Sequence, residues 1–161
     1  MEKTKLKKLV TSMILLVGST SLLSCSESKD DDKPAVPAAK EIEGIYKGDM
    51  ASSVMGSETL FEDMTFTVTA TDDATATLRV SSFGNPPMLI PEITVSDIKV
   101  SGKDGTYTLA PTEFSGSTAA GRNYSGTAKG SYSNSTLNVQ FNLQYGAMPM
   151  PLICSFSANK Q

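Results

Sequence analysis

The stretch Leu137-Asn138-Val139-Gln140-Phe141-Asn142-Leu143-Gln144-Tyr145 decides the fold class. Its apolar side chains alternate strictly with carboxamides, and a period of two places every apolar group on one face of an extended chain. A helix would scatter the same residues around its circumference. The segment reads as a strand with one buried face and one wet face. Upstream, Met64, Phe66, Val68 and Ala70 alternate with Thr65, Thr67, Thr69 and Thr71 in the same way. Tyr124, Gly126, Ala128, Gly130 and Tyr132 share one parity as well, with small residues where a sheet bends sharply. Ile93 and Val95 hold one parity while Ile98 and Val100 hold the other, and a bulge near Ser96 and Asp97 accounts for the switch.

Turn signals separate these runs, at Asp72-Asp73, at Gly102 to Gly105, at Ser133 to Ser135 and at two Pro-rich segments. The spacing predicts eight strands, near residues 43–52, 59–70, 75–83, 91–101, 105–114, 121–133, 135–145 and 148–158. No segment carries sustained helical periodicity. The expected fold is all-β, a single eight-stranded antiparallel up-and-down barrel without a helical domain, which leaves no free edges. A two-sheet sandwich is the rival. A membrane-spanning barrel needs an outward apolar band and aromatic girdles. Here the wet parity is Thr, Ser, Asn and Gln, so the apolar face points inward and the barrel reads as soluble.

The opening Gly44-Ile45-Tyr46-Lys47-Gly48, the central Ile93 to Val100, the following Gly105-Thr106-Tyr107-Thr108-Leu109 and the Met-Pro-bearing last hairpin together resemble the calycin-like, lipocalin-like domain of Bacteroidota lipoproteins. The resemblance spans roughly residues 43–158. It implies an eight-stranded barrel on a lipid anchor and no agreed chemistry. Where lipocalins open with Gly-x-Trp, this chain has Tyr46.

The first 24 residues read as an export signal. Lys3, Lys5, Lys7 and Lys8 precede an interrupted apolar run from Leu9 to Leu23, too short to span a bilayer of roughly 30 Å as a stable helix. The run ends in Leu22-Leu23-Ser24-Cys25, which resembles a lipobox, with Cys25 as the acylated first mature residue. Acyl chains add roughly 0.8 kcal/mol of membrane affinity per buried CH₂. The membrane partner is thus met through the anchor. Residues 25–40 read as a flexible tether, acidic and then Pro- and Ala-rich. The acidic Ser26 to Asp32 resembles a surface-export signal of Bacteroidota lipoproteins. The expected location is the outer membrane, facing the cell surface or alternatively the periplasm. The barrel domain is expected over 41–161.

The chain has no His and no Trp, so neither a Ser-His-Asp set nor a His-ligated metal site can be built. Losing residues 1–24 removes four Lys and one Glu from 14 basic and 17 acidic residues, leaving a net charge of −6. That balance argues against nucleic acid. With Cys25 acylated, Cys154 is a lone thiol read as a small core residue. The Gly121 to Gly126 segment has phosphate-loop glycine spacing but lacks the Lys that must follow. No cofactor, metal or catalytic residue is expected, and the chain does not read as an enzyme.

Two apolar segments remain, Gly84 to Pro91 and Gly146 to Ile153, each after an aromatic residue and Gly. As loops at one barrel end, their Met88, Leu89, Ile90, Met148 and Met150 form either a hydrophobic plug or the adaptable rim of a ligand mouth. The same patch would suit a surface protein partner. Glu62 shares the parity of Met64: it either points into the barrel or its mouth, as a candidate polar group orienting a ligand, or lies at a strand end in solvent. The leading expectation is a barrel that binds a small, partly apolar molecule. The alternative is a structural or protein-interaction module with its interior filled by Phe66, Leu78, Val80, Leu137, Phe141 and Phe156.

Overall fold

A computed structural model describes residues 35–161. The signal, Cys25 and most of the tether lie outside the described residues. A short helix, α1 (Ala38–Ile42), leads into eight strands: β1 (Gly44–Val54), β2 (Ser57–Ala70), β3 (Thr75–Val80), β4 (Ile93–Lys103), β5 (Thr106–Ser117), β6 (Asn123–Ser133), β7 (Thr136–Tyr145) and β8 (Leu152–Asn159). Each strand pairs antiparallel with the next, and β1 meets β8 to close the barrel. The closing contact runs over Met50–Ser53 against Ile153–Phe156. Alternation sets the inside. Along β7 the buried residues are Leu137, Val139, Phe141, Leu143 and Tyr145, while Asn138, Gln140 and Asn142 are exposed.

Three irregularities reset that alternation. Ser96-Asp97 on β4 together oppose Thr77, between the pairs Leu78–Val95 and Ala76–Ile98. Asp97 takes φ 60° there, a region Asp tolerates better than most side chains. This is the bulge the parity switch predicts. Ala110-Pro111 on β5 oppose Lys129, a position that suits Pro because a bulge needs no ladder amide. Glu62-Asp63 on β2 oppose Asp49, with Asp63 at φ 54°. That third bulge corrects the reading of Glu62. It flips the parity, so Phe61 turns toward the core and Glu62 is exposed on the outer wall.

The strand ends differ from expectation where Pro intervenes. β3 stops at Val80, and Phe83 instead makes an isolated bridge to Ile90. β8 begins at Leu152, after Pro149 and Pro151. At the other end the tether reading runs too far. Ala38, Ala39 and Lys40 belong to α1, and Ala39 and Ile42 are fully buried. Ala39 N–H donates to the Asp73 carbonyl at 3.2 Å, and the Tyr46 hydroxyl donates to the Ile42 carbonyl at 2.7 Å. The small Ala side chain lets the helix sit tightly on the barrel end. α1 packs on β2 and β4, closing the end that carries the β2–β3, β4–β5 and β6–β7 turns.

All six Phe of the chain lie in one connected aromatic network across the barrel. Phe66 stacks on Phe156 at 3.7 Å between centroids, and Phe141 meets Phe66, Phe83 and Phe114 at 6.3–6.4 Å. Toward α1, Tyr132 bridges Tyr46 and Tyr107 at 6.3 and 6.1 Å. Burial raises the Tyr46 phenol pKa well above its usual value, and neighbouring Tyr132 pushes the same way.

Candidate functional site

The two Pro-rich segments lie on the same barrel end, opposite α1, because both connect an odd strand to the next even one. Residues Gly84–Leu89 form a loop held by Phe83 N–H to Ile90 O at 3.1 Å and Ile90 N–H to Phe83 O at 2.9 Å. Gly84 adopts φ +87°, and a Cβ there would lie 2.5 Å from the Met88 carbonyl oxygen. The second segment turns at Gly146, whose N–H donates to Asn123 O at 2.8 Å, while Gln144 Nε2 donates to the Met148 carbonyl.

The structure divides the five rim candidates into two groups. Ile90 is fully buried and Met148 packs half-buried against the core, so these two close the barrel end with Phe83 and Phe61. Assigning Ile90 to an open rim is therefore corrected: its bridge to Phe83 turns it inward. Met88, Leu89 and Met150 face solvent, each between 41% and 50% exposed. Met55 joins them from the β1–β2 turn at 82% exposed. Sequence reasoning missed Met55, although a Met beside Gly56 in a turn was the available signal. Glu62 belongs to neither group and lies on the outer wall.

Behind the plug, Phe66, Phe114, Phe141 and Phe156 pack together inside the barrel. The gap between Leu78, Ile98, Leu109, Ala128, Lys129 and Val139 has no room for a water molecule. Cys154 is fully buried, and burial pushes its thiol pKa up to about 11, with the Ser52 hydroxyl pulling weakly the other way. Such a thiol is protonated and shielded, unsuited to nucleophilic work. Among the described residues no group of three metal-ligating side chains comes together.

The larger concavity is on the outside. A groove of about 660 Å³ crosses the waist of the barrel over β1, β8, β7, β6 and β5, with Leu60 of β2 at one edge. Strand register arranges its outward side chains in two rows. One row runs Leu60, Ala51, Ser155, Gln140, Lys129 and the Ala110-Pro111 bulge. The other runs Ser157, Asn138, Ser131 and Thr108, with Asp49 at its β1 end. Small Ser155, Ser157, Ala51 and Gly130 make the floor, and the exposed Leu60 and Pro111 stand at its ends.

The calycin-like beta-barrel domain model matches residues 42–159, which include every strand of this closed barrel. The chain belongs to the calycin-like beta-barrel family. No curated protein matches it. Among solved structures, the calycin-like barrel superposes on a protein of Bacteroides fragilis provisionally named an outer membrane protein. The TM-score is 0.67 at 24% identity, over 78% of this chain and 53% of that one. The likeness is one of fold, and the chain spans about half the length of that structure.

Proposed function

We propose that this protein is a lipid-anchored envelope module that presents the plugged, apolar end of its barrel to a partner protein. The aromatic packing inside the barrel carries this reading. A carrier barrel needs a cavity of roughly 300 Å³ or more, and the space behind Phe83 and Ile90 is occupied by the Phe network instead. The packed alternative is therefore favoured over the ligand-carrying one. Met55, Met88, Leu89 and Met150 remain exposed on that end, on three separate connections. Methionine surfaces repack around a partner, and clustered exposed apolar groups mark interaction sites.

The described chain enters the barrel through α1, at the end opposite these loops.

Photo-crosslinking in the native host tests the proposal. A benzoylphenylalanine at Met88 or Met150 should give one discrete protein adduct, and the same probe at Thr136, near the α1 end, should not. Identical adducts from both ends, or adducts to lipid alone, would overturn it. So would a small molecule recovered at one-to-one stoichiometry from the purified full chain.

A further inference from the structure

We infer that the waist groove is a second binding site, separate from the apolar end, and that it takes a neutral polyhydroxylated chain, an oligosaccharide. Its side chains carry the inference. Thr108, Ser131, Asn138, Gln140, Ser155 and Ser157 are exposed, and none engages a side-chain hydrogen bond among the described residues. Hydroxyls and carboxamides each offer both donors and acceptors. That mixture matches sugar hydroxyls, which also do both.

Charge points the same way. One cation, Lys129, and one anion, Asp49, stand in the groove. Asp49 already accepts a long hydrogen bond from Asp63 N–H at 3.4 Å. A polyanion or polycation would meet no net countercharge. An extended peptide adding itself as a strand is excluded for a different reason. The floor strands β6, β7, β8 and β1 are interior to the ladder, so their backbone groups are already paired. Recognition here must run through side chains.

The dimensions suit an oligomer. Neighbouring strands are about 4.8 Å apart, so a row crossing five strands presents polar groups over roughly 20 Å. The groove volume of about 660 Å³ falls within the range of ligand sites, roughly 300–1,000 Å³. Most of the groove's exposed surface is apolar, with Leu60, 58% exposed, and Pro111 at its ends, and this surface faces the C–H faces of a sugar ring while the hydroxyls and carboxamides meet its polar groups.

The test is titration of the full chain, followed by amide NMR, with neutral hexasaccharides of α- and β-linked glucose, xylose and mannose. At least one should shift the side-chain amides of Asn138 and Gln140. Asn138→Ala with Gln140→Ala should weaken binding at least tenfold, the loss expected when hydrogen bonds of ordinary strength are removed. Ser155→Trp, which fills the floor, should abolish it, while Met88→Ala at the apolar end should leave it unchanged. Failure of the whole panel overturns the inference, because the contacts invoked are common to all neutral sugars. Binding that survives the paired substitution, or shifts confined to residues 84–91 and 146–151, overturns the siting. Thermal unfolding of each variant separates lost binding from lost fold.

Discussion

Gly84 and Gly56 both adopt left-handed backbone, at φ +87° and +82°, yet their surroundings differ. A Cβ at Gly56 would meet nothing within 4 Å, whereas one at Gly84 would press on the Met88 carbonyl oxygen. Gly84→Ala should therefore cost more than the roughly 1 kcal/mol of backbone strain that Gly56→Ala incurs, as read by urea unfolding. Asp72 supplies a pH-dependent counterpart. The Ala74 amide, at 2.8 Å, is the main cause holding its carboxyl below the usual 3.8, helped by the Thr75 hydroxyl and the Lys99 charge. A carboxylate depressed on folding stabilises above its unfolded pKa, and that contribution disappears as pH falls through the folded value. The stability gap between wild type and Asp72→Asn should thus be present at neutral pH and close below pH 3.8, in thermal melts across that range. At this scale the sequence was only partly readable. Asp72 was visible as a turn residue, whereas Glu62 was misread because adjacent Leu60 and Phe61 are both apolar and mask the parity flip at Asp63.

The elements were legible in proportion to their length. Strands β7 and β2 advertise themselves through runs of strict alternation, and the β4 bulge shows because apolar pairs flank it on both sides. Helix α1 is five residues long, barely more than one turn, so no periodicity can accumulate, and its Ala residues resemble linker composition. Its role is nonetheless structural. Ile42 is fully buried at the barrel end, and its carbonyl accepts the Tyr46 hydroxyl. Ile42→Ala should cost about 2–5 kcal/mol, in the range of large-to-small core substitutions. Tyr46→Phe, which keeps the ring and loses one hydrogen bond, should cost about 1 kcal/mol. Denaturant unfolding that found the two variants equally mild would mean α1 is docked without contributing to stability.

Across the whole molecule, alternation announces a barrel and leaves its contents unspecified. Whether eight strands enclose a ligand or their own side chains depends on the volumes meeting on the axis, and only register reveals that Phe66, Phe83, Phe141 and Phe156 converge. The waist groove was likewise invisible in one dimension, because Ser155, Gln140 and Ser131 become neighbours only through pairing across β8, β7 and β6. Since one aromatic network spans the core, Phe66→Ala should lower stability by about 3–5 kcal/mol. Unfolding should nonetheless stay a single transition by fluorescence and circular dichroism alike. Separate transitions by the two probes would divide the barrel into independently stable parts.

The contact between Met50–Ser53 and Ile153–Phe156 joins the two extremities of the domain. Until the eighth strand exists, the first has no neighbour on that flank. The ring is thus a property of all eight strands together. Formation of the native barrel waits on β8, and such distant pairing is slow to find. A premature stop before Leu152 would not yield a trimmed barrel. It would expose two raw strand edges, on β1 and β7, to any neighbouring chain that could pair with them.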